Sequence, residues 1–274
     1  MENFLTNCMN ESKKHPYHLV DPSPWPLVSS LAVLVLAVGG VLFMHHIDHW
    51  VFIVGIFLMV ACAVGWWLDV VKEANTIGLH TLVVQNGLKI GMALFIASEA
   101  MLFVAFFWGY LHSSLNLAGH VVFQWPPKGI VTFDPMQLPY LNTLILLLSG
   151  TTVTWAHHEM LKGNFSKVTQ ALIITVILGL IFSCVQVVEY SYAAFNLKDG
   201  IYPSNFFMAT GFHGAHVLIG TIFLGICLLR NMRREFQPNH HVGFEVAAWY
   251  WHFVDVVWLF LFVTIYWNSS VAVK

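Results

Sequence analysis

The chain has 274 residues, 58% of them hydrophobic and only 9% charged, with a formal net charge of -2 and a mean hydropathy of +0.70. That composition excludes an ordinary soluble domain, because there are too few charged side chains to cover its surface. It also excludes reading partners from net charge, since most of the exterior must face lipid, and no nucleic-acid partner is expected. Before Trp25 the chain is polar, holds Pro16, Pro22 and Pro24, and has no apolar core of the kind a cleaved signal peptide needs.

Seven apolar runs follow: Trp25–Met44, Trp50–Leu68, Gly87–Tyr110, Leu138–Ala156, Val168–Phe195, Ser204–Leu229 and Phe244–Trp267. All are too long for strands and lack period-two alternation, which predicts an all-α integral membrane protein with seven transmembrane helices. Trp25, Trp50, Trp66, Trp67, Trp155 and Trp267 cluster near the ends of these spans, as interfacial anchors do. His45, His46 and His49 fall in the short turn after the first span and read as interfacial residues. The polar stretch from Asp69 to Asn86 predicts a break between a tail plus two-helix arm (1–75) and a connector plus five-helix bundle (76–274). The longest connection runs from Leu111 to Gln137 and holds the Trp125-Pro126-Pro127 corner. Cys8, Cys62, Cys184 and Cys227 lack C-x-x-C spacing and read as spectator thiols.

Basic residues set the orientation. With the N-terminus cytoplasmic, inner segments hold Lys13, Lys14, Lys72, Lys89, Lys162, Lys167, Arg230, Arg233 and Arg234, and outer segments hold Lys128, Lys198 and Lys274. This three-to-one bias predicts an inner N-terminus and an outer C-terminus.

Ionisable residues inside the spans are the candidates for function. Glu99 lies ten residues beyond Lys89, about 15 Å of helix and so about half of a hydrocarbon core about 30 Å thick. A charge at that depth costs at least about 2.5–3.5 kcal/mol, so such residues face protein or a cavity and usually carry function. A protonated acid pinning one helix to another is the other reading. His213 and His216 are three apart, as are His252 and Asp255, so each pair shares a helix face. With Glu99 they admit a metal cluster or a haem ligand, or else interhelical hydrogen-bond partners beside Gly211, Gly214, Ala215, Ala247 and Ala248. Spacing does not decide whether the three helix faces converge. Glu189 and Tyr190 lie near the outer end of the fifth span. His157-His158-Glu159 and His240-His241 are sequence neighbours that point apart, and they read as solvated or lipid-contacting faces. There is no phosphate-binding glycine loop, no G-x-S-x-G elbow and no H-E-x-x-H motif.

Several blocks carry a resemblance. Asp21-Pro22-Ser23-Pro24-Trp25-Pro26, Phe107-Trp108-x-x-x-His112-Ser113-Ser114-Leu115, Thr154-Trp155-Ala156-His157-His158, Ala209-Thr210-Gly211-Phe212-His213-Gly214-x-His216-Val217 and Trp249-Tyr250-Trp251-His252-Phe253-Val254-Asp255-Val256-Val257-Trp258-Leu259-Phe260 span nearly the whole chain in order. Together they resemble subunit III of haem-copper cytochrome c oxidases of the mitochondrial, A type. The resemblance implies a V of two plus five helices with phospholipid in the cleft. It also implies no haem, copper or other redox centre in this chain, those belonging to subunits I and II. His213, His216, His252 and Asp255 then become a structural polar network.

By the same resemblance Glu99 is the membrane-embedded glutamate that reacts with dicyclohexylcarbodiimide. Met92, Phe95, Phe103 and Phe106 would surround it, and such a shell favours the neutral acid. The family's lipid-contacting positions correspond to Trp67, Lys72, Glu73, His80 and Arg230, where basic groups and an imidazole donor suit anionic head groups. Lys72 and Lys89 stand where many relatives have arginine, giving a point charge in place of a bidentate fork. The implied role is an accessory subunit of a proton-pumping terminal oxidase of aerobic respiration, passing electrons from cytochrome c to oxygen. It would meet cytochrome c indirectly, hold the catalytic core, bind structural phospholipid and support proton uptake. The implied location is a bacterial inner (plasma) membrane, or the mitochondrial inner membrane if organellar. A stand-alone proton-coupled transporter using Glu99, and a membrane metalloenzyme using the histidines, are the rival readings.

Overall fold

The computed structural model describes residues 16–76, 79–115 and 125–271. Cys8, Lys13, Lys14 and Lys274, which enter the thiol and orientation readings, lie outside the described residues, as does the middle of the Leu111–Gln137 connection. Seven long helices follow in order: α1 (Trp25–Met44), α2 (Trp50–Asn75), α3 (Leu82–Leu115), α4 (Leu138–Leu161), α5 (Phe165–Ser191), α6 (Ile201–Met232) and α7 (Val242–Leu261). A π-helical segment, Phe262–Trp267, continues α7 into a last turn, α8 (Asn268–Val271). Most helices run beyond the apolar stretches that predict them. A helix satisfies its own backbone bonds, so it continues into the polar interface without penalty.

Six of the seven long helices are apolar enough to cross a membrane. The exception is α4, the expected fourth span. Its polar side chains turn toward protein: Trp258 Nε1 donates to Thr143 Oγ1 and Trp251 Nε1 to Ser149 Oγ, each over 2.9 Å. Asn142, Thr143 and Ser149 are all buried on this helix. A central helix whose neighbours supply hydrogen-bond partners needs less apolar surface than one facing lipid.

The chain divides into two compact units at Leu88 and Lys89. In the first, α1 and α2 pack closely because Gly39 and Gly55 leave room for it. A Cβ on Gly39 would come within 2.5 Å of Phe52 N, and one on Gly55 within 2.6 Å of Leu36 Cα. Trp25 Nε1 at the start of α1 donates to Asp69 Oδ2 near the end of α2, and Thr81 Oγ1 donates to Pro16 O.

In the second unit α4 packs on α5 and α7, α5 on α6, and α6 on α7. The core is aromatic: Trp251, Trp258, Tyr202, Tyr266, Phe182, Phe206 and Phe244 are fully buried. α3 joins this unit through Phe103, Tyr110 and Ser114. The α4–α5 turn closes with Gly163 at φ 72; its N–H bonds Met160 O, and Asn164 N–H bonds Glu159 O, satisfying two carbonyls at the helix end. At the same turn the Lys162 ammonium, hydrogen-bonded to Glu159, holds that carboxyl below its ordinary range.

Candidate functional site

Glu99 meets His216. The third helix turns Glu99 toward α6, and its Oε2 lies 2.9 Å from His216 Nε2. The other ring nitrogen, Nδ1, is 2.6 Å from the Phe212 carbonyl one turn earlier on α6. A carbonyl only accepts, so Nδ1 carries a proton and donates it. The Glu99–His216 contact then needs one proton of its own. Either a neutral carboxyl donates to bare Nε2, or an imidazolium donates to a carboxylate. In both forms the pair holds one proton in the shared bond and no net charge, so that proton passes between the partners without changing the charge buried there.

The surroundings are apolar and aromatic. Phe103 stands edge-on to the His216 ring at 5.0 Å, and Tyr250 of α7 stacks beside it at 6.3 Å. The Glu99 and His216 side chains are 24% and 10% exposed respectively, so the glutamate sits at the margin of the bundle and the histidine inside it. Of the residues expected around the carboxyl, Phe103 is buried, Met92 and Phe106 pack against the core, and Phe95 is half exposed against Tyr250.

The other intramembrane groups occupy separate places. His213 is enclosed by Phe182 and Trp258, and its Nε2 donates to Val254 O over 3.1 Å. His252 Nε2 lies 3.2 Å from Thr154 Oγ1, and its Nδ1 lies 3.8 Å from Asp255 Oδ2. Asp255 is buried against Gly150, where no Cβ stands in its way. His213, His216 and His252 therefore bond to different partners on α7, α3 and α4 rather than to one another, and Asp255 approaches only His252 among them. No grouping of three His, Cys, Asp or Glu suited to a metal occurs among the described residues.

The lipid candidates fall in both units. In the first, Trp67 and Lys72 are exposed, while Glu73 Oε2 lies 3.5 Å from His18 Nε2, and His18 stands 6.5 Å from His80 ring to ring. In the second, Arg230 Nε donates to Glu235 Oε2 over 2.9 Å and the guanidinium covers the Phe236 ring. Two ion pairs were not visible in the sequence: this Arg230–Glu235 pair, and Lys89 Nζ with Glu245 Oε2 at 2.6 Å, joining α3 to α7.

Comparison with known proteins shows the family. The family model for cytochrome c oxidase subunit III matches residues 15–270. The chain belongs to the cytochrome c oxidase subunit III family. Among family members named cytochrome c oxidase subunit 3, that of Drosophila melanogaster is 53% identical over 259 residues, covering 94% of this chain and 99% of the relative. That of Arabidopsis thaliana is 54% identical over 265 residues, covering 96% and 100%. That of Marchantia polymorpha is 54% identical over 261 residues, covering 94% and 98%. Membership of subunit III accounts for the long apolar helices as those of a multi-pass membrane protein.

Proposed function

We propose that this chain is the accessory, cofactor-free subunit III of a proton-pumping cytochrome c oxidase, working with subunits I and II, which carry the haem and copper. It steadies the catalytic core, binds phospholipid and supports proton uptake. In this reading all seven long helices cross the membrane, α4 included, and the N-terminus is cytoplasmic. The membrane is the bacterial inner membrane, or the mitochondrial inner membrane if the chain is organellar. Cytochrome c is met only through the complex.

The Glu99–His216 pair is the observation that carries the proposal. A net-neutral pair with one mobile proton, at the margin of an apolar bundle, suits a group that lends protons to a neighbouring pathway. The histidines fit a packing role: His213 and His216 each commit a ring nitrogen to a backbone carbonyl. Phospholipid head groups are assigned to Trp67, Lys72, Glu73 and His80 in the first unit and to Arg230 in the second.

The test is Glu99→Gln in the purified oxidase. A glutamine amide donates to His216 Nε2 as the neutral acid does, so the complex should assemble with its haem content intact. Carbodiimide labelling of this subunit should vanish, and oxygen reduction should continue with at most a moderate loss of pumping or turnover lifetime. Complete loss of oxygen reduction in an intact complex would make Glu99 an obligatory carrier and overturn the accessory reading.

A further inference from the structure

A second buried carboxyl, Glu189, lies far along the chain from the pair just described and takes no part in it. It is 0% exposed near the C-terminal end of α5. The π-helical segment brings Tyr266 onto it, and the Tyr266 hydroxyl donates to Glu189 Oε1 over 2.6 Å. One turn before Glu189 on the same helix, Gln186 Oε1 accepts a 3.4 Å bond from Asn142 Nδ2 of α4. Three polar atoms of this group are then buried with no hydrogen bond of ordinary geometry: Glu189 Oε2, Gln186 Nε2 and Asn142 Oδ1, although the Gln186 amide lies near enough to the Glu189 carboxyl to act on it. Seven such side-chain atoms occur among the described residues. The other four are on His18, His213, Asn231 and Asp255, each alone; three of the seven meet here, where α4, α5 and the π segment come together.

Buried donors and acceptors are almost always satisfied, because an unmet one costs more than a made bond returns. The three atoms comprise one amide donor, one amide acceptor and one carboxyl oxygen. Exchanging the amide orientations does not change this balance. Any single bond between Asn142 and Gln186 uses one donor and one acceptor, and leaves one of each free. A water molecule matches the remainder in either state of the carboxyl. Facing a carboxylate, it donates to Glu189 Oε2 and Asn142 Oδ1 and accepts from Gln186 Nε2. Facing the acid, it accepts from Glu189 and Gln186 and donates to Asn142. Three bonds is the usual complement of a buried water.

We propose that Asn142, Gln186 and Glu189 form the binding site of one ordered water molecule, which ties α4 to α5 and, through Glu189 and Tyr266, to the π segment of α7. The site needs no second subunit and is independent of the reading given to Glu99. The test is a structure of the purified oxidase containing this chain, at a resolution where internal waters are visible. One peak within hydrogen-bond reach of Glu189 Oε2 and of the two free amide atoms is the expected result. In Asn142→Leu with Gln186→Leu the peak should be lost while the Tyr266–Glu189 bond remains. Absence of the peak while other internal waters are seen, direct pairing of the three atoms, or short multi-oxygen contacts typical of a metal ion would each overturn the proposal.

Discussion

Glu99 and His216 stand or fall together. Removing one partner of a buried hydrogen bond strands the other, at a cost of about 1–3 kcal/mol, whereas replacing both by apolar groups is close to neutral. His216→Leu should therefore lower the unfolding temperature of the purified complex, and Glu99→Leu with His216→Leu should recover most of that loss. A double variant no more stable than the single would show that the two residues do not act as a unit. That Glu99 lies inside a long apolar helix was legible from the sequence. Its partner was not. His213 and His216 share a face by spacing, yet one ring turns to the α7 backbone at Val254 and the other to α3. Three residues differ by about 60° around a helix, enough for two long side chains to reach different neighbours in a crowded bundle.

For the helices, apolar run length located every long element, while α4 is less apolar than the other six, its Asn, Ser and Thr side chains facing indoles and other helices. Helix ends were also less legible than centres, since nothing in an apolar window marks how far a self-satisfied helix continues; α2 reaches Asn75 and α3 begins at Leu82. The α1–α2 pair offers a paired test. A side chain at Gly39 collides with the α2 backbone, whereas a Cβ at Gly40 has only the Phe52 ring at 3.8 Å. Gly39→Val should weaken the first unit by about 1–3 kcal/mol, as overpacking does, and speed proteolysis between α1 and α2. Gly40→Ala should be neutral or slightly stabilising through helix propensity. Equal sensitivity at the two positions would mean that close helix approach is not what holds this hairpin.

On the scale of the whole molecule the lipid assignment separates into two cases. Lys72 is exposed and His80 partly buried, while Arg230 already serves Glu235 and Phe236. Lys72→Ala with His80→Ala should reduce the phospholipid that co-purifies with the complex and shorten its working life, with initial electron transfer unchanged. Arg230→Ala should in addition loosen the segment after α6, visible as faster hydrogen exchange there, because it removes the ion pair to Glu235 and the cover over Phe236. Unchanged phosphorus content in the Lys72 and His80 variant would remove those two residues from the assignment. Membership of subunit III was legible because long motif blocks lie along nearly the entire chain. Which side chains pair across helices was not, because Lys89–Glu245 joins positions more than 150 residues apart, a distance no local pattern spans.

The π segment sets the phase of everything after Leu261. A π turn is an α-helix with one residue inserted, and one residue is about 100° of rotation. Beyond that point the chain's faces are rotated by a little more than a quarter turn relative to an uninterrupted helix, which is why Tyr266 reaches Glu189 and Ser269 Oγ lies 2.6 Å from the Tyr110 hydroxyl. The C-terminal turn is thus keyed to α3 and α5 by a count, not by its own composition. Deleting Val263, whose side chain is 57% exposed, should let the segment close as regular helix and swing both hydroxyls away. The hydroxyl stretch of Tyr266 should then shift from its short-bond position in isotope-labelled infrared spectra, although the deleted residue touches neither partner. A length change of one residue here rewires the end of the bundle, where the same change in a loop would pass unnoticed.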